Sequence, residues 1–506
     1  MATAQRRPRP FPQDLYCLTV AFAPLAALLT YKVFVEPRPF WVVFFDPEAI
    51  WFLNGLDIIS WTSPRNIDHP GIPTSLLSAL FVALAGAEPL AFDSFRLIAY
   101  VAVFLLNVLA GLLLLRTLLA GMSRPLQLTA LWSYYLAPRA LDHTTIWTSE
   151  SLFPFFSVLP LVCISRLLRG SPSRRDCLLL GCSLGACIAL KFTFITWLPA
   201  MVLLATCRKA ESTWTRRSAS ALLVGAGASM GFVLLTLPIA HRYPYLLDWV
   251  VRLATRTGRH GSGAEGLPAT VELAGRILDT IRHAKVWYLW IGALALGGAM
   301  AIQGRRERTD ALVYGAGMLG FLAAQTLILR GELEMRYLLP AAPMSVLFVV
   351  VLSRHPWIAG SARFQQLTAG LIALLLVQGA VKDVLVHRAR IGAASSWSAR
   401  VETIIAERAK ELGRPPVVVY GWRSPTPSFA LRCFNTDPHI LDLIEERYPN
   451  QGDYVPWRTS QPIRLPRRVE TWDLFIARRQ EARFEPPVLG SVIAEVDDYV
   501  VMVPAR

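Results

Sequence analysis

Apolar runs approaching the length of a membrane span recur along this chain, and that recurrence constrains its fold more than any other feature. A helix needs roughly 20 apolar residues to cross the hydrocarbon of a bilayer. The candidate runs are Leu15–Val35, Phe95–Leu115, Leu126–Ala137, Ile146–Leu168, Cys177–Leu190, Phe192–Ala205, Ala219–Ala240, Val286–Ile302, Ala311–Leu329, Tyr337–Leu352 and Leu367–Val386. Charge is sparse: 17% of the 506 residues are charged and 54% are hydrophobic, whereas soluble domains carry about 25% charged residues. The chain therefore reads as an all-α polytopic membrane protein. Its net charge of +15 is scattered between the apolar runs, which marks topology and contact with lipid phosphate and excludes a nucleic-acid partner. The seven cysteines include no CxxC pair and no zinc spacing. Arg6, Arg7 and Arg9 precede a first run too long for a cleaved signal, so it reads as an anchor.

Basic clusters orient the spans. Arg6–Arg9, Arg116–Arg124, Arg166–Arg175, Arg208–Arg217, Arg305–Arg308 and Arg354–Arg363 all fall on the cytoplasmic side only if an even number of crossings separates neighbours. Three apolar runs lie between Arg9 and Arg116, because Ile72–Phe92 is also apolar. Pro70 and Pro73 break its start and Glu88-Pro89 its end, so this run is expected to lie in the interface or re-enter without crossing. About eleven spans result. The Trp41–Gly71 loop, the Asp142–Glu150 turn, the Lys191 turn, the His241–Lys285 loop and the Arg330–Arg336 turn then share the outer face, together with the tail after Val386. Polar turns that converge on one face are what a site requires.

Trp41–Gly71 is the densest of these turns, with Asp46, Glu48, Asp57, Asp68 and His69 set among aromatic residues. Carboxylates beside a bilayer are costly unless solvated, paired or used. Asp46-Pro47-Glu48 reads as a helix start, with Asp46 as N-cap and Glu48 in the first turn. Ala49, Phe52, Leu53, Leu56 and Ile59 then recur at helical spacing, while Asn54 and Asp57 mark another face, so a helix lying on the membrane surface is expected. In the His241–Lys285 loop, Arg256, Arg259 and His260 sit among glycines in a core read two ways: a mobile flap over a phosphate, or a basic loop held by anionic lipid.

From about Ser395 the composition changes. Val401–Leu412, Phe429–Phe434 and Ile440–Tyr448 read as helices; Pro416–Tyr420, Trp472–Ala477 and Val492–Val503 read as strands. The expected organisation is a transmembrane catalytic module over 1–394, with first outer loop 36–92 and flap loop 241–285, followed by a small extracytoplasmic α/β domain over 395–506.

Four pieces in order resemble one family. Asp46-Pro47-Glu48 with His69-Pro70-Gly71 looks like the first loop of GT-C glycosyltransferases, in the subgroup of bacterial protein O-mannosyltransferases and the lipid A aminoarabinose transferase. Glu150 in TIWTSESLF, Lys191 in IALKFTF and Arg336-Tyr337-Leu338-Leu339-Pro340 with Pro343 follow in the family's order. The resemblance spans roughly residues 14–385. The family usually has adjacent Asp-Glu where this chain has Asp46-Pro47-Glu48, and a second proline where it has Gly71.

The resemblance implies sugar transfer from a polyprenyl-phosphate donor to an extracytoplasmic lipid or polysaccharide acceptor, in a bacterial inner membrane whose lipids bind the chain. It places Asp46, Glu48 and Glu150 in catalysis and Arg336 and Lys191 on the donor phosphate, with His69 and Tyr337 elsewhere in the site; the flap reading of the basic loop adds Arg256 and Arg259 to the phosphate and His260 to the site. A phosphate leaving group needs neutralisation, and the attacking hydroxyl needs a base. Each residue has a plainer role too: Asp46 and Glu150 as helix caps, Glu48 against the helix dipole, Lys191 and Arg336 snorkelling, His69 in loop packing. A divalent cation held through the oxygens of Asp46, Glu48 and Glu150 stays open. The alternatives are a protein O-mannosyltransferase and, from another class, a flippase for lipid-linked saccharides.

Overall fold

The computed structural model describes residues 11–34, 47–64, 67, 71–86, 92–137, 140–169, 173–207, 213–256, 265–266, 270–303, 308–330, 335–420, 453–456, 473–478, 490–496 and 499–504. Among them, five helical stretches are long and apolar enough to cross a membrane: Asp14–Tyr31, Ser94–Arg116, Ser149–Leu168, Trp214–Arg252 and Lys285–Gln303. The chain is a multi-pass membrane protein. Several other expected spans fall in shorter pieces. Arg124–Tyr135 has 12 residues, and Leu198–Thr206 and Met344–Leu352 have nine each, preceded by 3-10 turns at Phe192–Trp197 and Met335–Ala341. Proline explains the second break, since Pro340 and Pro343 lack the N–H that an α-helical ladder needs. Ile72–Ala85, at 14 residues, is about 21 Å long and too short to span hydrocarbon.

The chain divides into two compact units. The first comprises Met1–Thr30, Ser63–Leu77 and Ala99–Val384. Its tightest seam joins the Arg174–Leu190 and Trp214–Thr236 helices. A Cβ added at Gly185 would lie 2.1 Å from the Ala228 carbonyl oxygen, and one at Gly231 2.3 Å from that of Cys182. Only glycine lets the backbones approach so closely. Ser173 and Asp176 form a reciprocal capping box at the start of the first helix, and these hydrogen bonds hold the Asp176 carboxyl below its usual range. At one end of the seam Ile67, Ile72, Ile239 and Leu246 form a buried cluster with Phe192, Phe232 and Tyr243 packed against it.

The second unit comprises Tyr31–Thr62, Ser78–Ile98 and Leu385–Arg506. The Pro47–Ile59 helix does not lie on a surface as its periodicity suggests: Trp51 through Asp57 are all buried, Asn54 and Asp57 included. Phe52 packs edge-on against Phe92 and Phe95 at 5.0 and 5.1 Å, and Gly55 admits the backbone of Ser78. The helix has protein on the faces assigned to lipid and water. Trp61 stands at φ +57 just after it, with its N–H on the Ile58 carbonyl and that of Thr62 on Asp57, a turn usually built on glycine.

Val401–Leu412 is helical as expected, but within one 51-residue helix, Ala362–Leu412, that also holds the Leu367–Val386 run. The tail forms a mixed five-stranded sheet from β1 (Val417–Tyr420), β2 (Asp453–Pro456), β3 (Leu474–Arg478), β4 (Gly490–Val496) and β5 (Tyr499–Pro504), in the order β2-β1-β3-β5-β4. β1 pairs in parallel with β2 and β3, and β5 pairs antiparallel with β3 and β4. The single strand expected over Val492–Val503 is thus two antiparallel strands, and β2 was not foreseen. Phe429–Phe434 and Ile440–Tyr448 lie outside the described residues.

Candidate active site

The first unit brings Glu150 and Lys191 together. Thr148 caps the 3-10 turn Ser149–Leu152 by accepting from the Ser151 N–H at 3.3 Å, and the Ser151 hydroxyl accepts from the Thr148 N–H at 3.4 Å. That reciprocal box does the capping, so the Glu150 carboxylate is not the cap. The turn is held from two further sides. Thr74 Oγ1 donates to Ser149 Oγ at 3.1 Å, and Asn107 Nδ2 donates to the Ser151 carbonyl at 3.4 Å. Lys191 occupies the break between the Arg174–Leu190 helix and the Phe192–Trp197 turn, with extended dihedrals that release its side chain from the helix surface. Its ammonium donates to Glu150 Oε1 and lies 5.8 Å from the Phe153 ring centre. The two side chains are only 4% and 7% exposed. Burying two charges costs several kcal/mol each unless their geometry offsets it, and here the paired geometry holds both charges inside the protein.

A small cleft adjoins the pair. Tyr134, Thr144, Glu150, Phe153, Leu339 and Pro343 are among its walls. Tyr134 donates to the Pro154 carbonyl at 2.6 Å, fixing the wall behind Glu150. From the Lys191 side, Phe153, Phe194 and Trp197 stack edge to face at 4.8 and 5.2 Å, and Trp197 Nε1 donates to the Pro340 carbonyl at 2.8 Å. Pro340 belongs to the Met335–Ala341 turn, which also carries Arg336 and Tyr337. Three of the four sequence pieces therefore meet through named contacts. The Arg336 and Tyr337 side chains lie outside the described residues, as do Asp46, His69, Arg259 and His260.

Glu48 belongs to the second unit. Its carboxylate is fully buried and pairs with Arg96 at 3.3 Å. Arg96 was missed in the sequence, although a cation just inside the apolar run from Phe95 was the available signal. Arg256 pairs with Glu265 at 3.6 Å across an isolated bridge between the two segments. The His241–Lys285 segment is not simply a loop: it contains helices Tyr243–Thr255 and Thr270–His283. Among the described residues no group of three His, Cys, Asp or Glu side chains gathers for a metal.

The fold is that of the GT-C glycosyltransferases. Along nearly its whole length the chain is similar to the crystal structure of ArnT from Cupriavidus metallidurans bound to undecaprenyl phosphate, at 14% identity and a TM-score of 0.51, covering 98% of this chain and 99% of that one. ArnT in the apo state matches equally, at 14% identity and 0.51, covering 98% of each. The S. cerevisiae protein O-mannosyltransferase Pmt1-Pmt2 complex bound to the sugar donor matches 45% of this chain and 34% of that one at 12% identity, with a TM-score of 0.34 that carries no argument. No protein-family model and no curated protein sequence matches the chain. At this level of identity the likeness to ArnT is one of fold.

Proposed function

We propose that this protein is a membrane glycosyltransferase that moves one sugar from a polyprenyl-phosphate donor to an extracytoplasmic acceptor, an envelope glycolipid or polysaccharide, in a bacterial inner membrane. The observation that carries the reading is the buried Glu150–Lys191 pair beside a cleft lined also by Leu339, from the turn bearing Arg336. ArnT, similar in fold, was crystallised with undecaprenyl phosphate. A lysine ammonium has three N–H donors. Lys191 keeps one on Glu150 and offers another to a phosphate oxygen, while Glu150 holds the ammonium in place. Arg336 adds a planar fork for the same phosphate, with Arg256 and Arg259 from the adjoining segment.

In the step itself a carboxylate takes the proton of the acceptor hydroxyl, whose oxygen attacks the anomeric carbon. The bond from that carbon to the phosphate oxygen breaks, and the polyprenyl phosphate leaves with the electron pair. A single displacement inverts the anomeric centre. Asp46 is the proposed base, with Glu48 supporting the same loop through Arg96. The test is transfer by the purified protein from a synthetic polyprenyl-phosphate sugar, read alongside mass spectrometry of envelope lipids from a strain lacking it. A missing sugar mass in the strain and its restoration in vitro support the reading. Unchanged envelope lipids, with no turnover of any polyprenyl-phosphate sugar, would overturn it.

A further inference from the structure

Two neighbouring helices of the first unit enclose N–H donors for which the chain supplies no acceptor. Lys285–Gln303 and Arg308–Arg330 pack antiparallel, with Trp287 against Phe321 near one end and Gly298 against the Tyr314 ring further along. At the Lys285 and Arg330 end the Trp287 and Phe321 ring centres lie 5.6 Å apart, and the Tyr288 hydroxyl donates to Gln325 Oε1 at 2.6 Å. That bond holds the carboxamide by its oxygen and turns its amide nitrogen the other way. Gln325 Nε2 is buried there without an acceptor among the described residues, and so are the indole N–H groups of Trp287 and Trp290. The two tryptophans are only 3% and 4% exposed. An indole nitrogen can only donate, and a buried tryptophan normally finds its N–H a partner. Hydrocarbon offers no water in its place. Uncharged donors grouped beside aromatic faces are the makings of a ligand site.

Depth names the ligand. Leu294 and Leu319 are the middle residues of the two helices. Trp287 and Gln325 stand about 9–10 Å from them along the axes at 1.5 Å per residue, and the hydrocarbon ends about 15 Å from its midplane. An indole or a carboxamide reaches the boundary from there. The oxygens that a bilayer holds at that boundary are the ester carbonyls of its glycerolipids, while phosphates and saccharide headgroups lie further out. Neutral donors also suit a neutral oxygen, whereas a phosphate calls for a cation. That cation stands two residues outward from Trp287, as the exposed Lys285. The groove opens toward lipid: Tyr288 and Gln325 are half-buried at its rim, and Leu289 and Leu322 beside them are exposed. We infer that this groove binds a glycerolipid of the adjoining leaflet, its ester carbonyls accepting from Trp287, Trp290 and Gln325 and its phosphate meeting Lys285. The inference rests on the two helices and not on sugar transfer.

The test sets ester against ether lipids. The full chain is placed in nanodiscs that mix diacyl phosphatidylethanolamine and phosphatidylglycerol with their dialkyl ether analogues, which keep the headgroups and chain lengths and lack the carbonyls. Native mass spectrometry after release into mild detergent counts the lipids that stay bound. Wild type should retain about tenfold more diacyl than dialkyl lipid, the effect of losing one or two hydrogen bonds. Trp287→Phe combined with Gln325→Leu keeps the packing and removes two of the donors, and should bring the two lipids close to equal retention. The wild-type ratio needs no variant, and Trp287→Phe alone serves if the pair fails to fold. Equal retention of both lipids by wild type would overturn the inference and leave water as the partner of these donors. A preference for the ester that survives in the double variant would also overturn it, by placing the carbonyl contact elsewhere on the protein.

Discussion

Lys191 donates a hydrogen bond to Glu150 across 41 positions of sequence, from a break between helices to a capped turn, and both side chains are buried. Neither charge has bulk water to fall back on. Lys191→Met alone should therefore destabilise the protein by about 3–5 kcal/mol, because it strands a carboxylate. Adding Glu150→Gln should recover most of that loss, while transfer stays abolished if the ammonium serves the donor phosphate. Unfolding in detergent for the two single variants and the double variant checks the coupling. A Lys191→Met protein as stable as wild type would mean that water reaches the pair.

The glycine seam sets where Lys191 stands, six residues beyond Gly185. Gly185→Ala would put a methyl 2.1 Å from a backbone oxygen that cannot swing aside, so the helices must part, at about 1–3 kcal/mol. Gly225, on the same partner helix, meets nothing within 4 Å. Gly225→Ala should be neutral or stabilising by up to about 1 kcal/mol, since alanine is the better helix former. Thermal unfolding of both variants separates close approach from helix propensity. Equal midpoints would show that the seam tolerates a methyl.

Much of this was legible in the sequence where one residue type carried the signal. The apolar runs announced a membrane protein, and the Ile72–Phe92 run, expected not to cross, holds a helix of 14 residues, Ile72–Ala85. Glu150 and Lys191 were each singled out, but nothing in their spacing said that they touch. Burial was the weaker inference. Periodicity placed Asn54 and Asp57 on a polar face, yet a neighbouring helix at Gly55 and three phenylalanines cover the helix instead. A pattern of apolar positions tells which faces dislike water, and it does not tell whether a polar face meets water or protein. The β4–β5 hairpin was missed for a related reason: two short apolar strands around Asp497-Asp498 look like one interrupted strand.

Arg336 belongs to the turn whose Pro340 carbonyl is fixed by Trp197. A charge-assisted hydrogen bond to phosphate is worth about 1.5–3 kcal/mol, so Arg336→Ala should weaken donor use by roughly 10–100-fold with the unfolding midpoint nearly unchanged. Arg336→Lys should restore only part, because charge returns without the planar fork. Donor titrations in a transfer assay give the answer. Full activity in the alanine variant would remove Arg336 from the phosphate site.

Asp46 precedes the Pro47–Ile59 helix and is the proposed base. Asparagine caps a helix about as well as aspartate, so Asp46→Asn should leave the helix start, the expression level and donor-lipid binding close to wild type. It removes the basic oxygen and the charge while keeping the size of the side chain. General-base catalysis contributes on the order of 10²- to 10⁴-fold, and a loss of that size in single-turnover transfer is the expected result. Donor binding, measured separately on the same preparation, guards against a trivial loss of substrate. A residue that only caps would leave the asparagine variant nearly as fast as wild type. In that event the base must be sought elsewhere. Glu48 and Glu150 would come next, and both already hold a cation, Arg96 and Lys191. Either would have to give up part of that ion pair to take a proton, so a transfer rate that survives Asp46→Asn yet collapses in Glu150→Gln would move the chemistry to the buried pair itself.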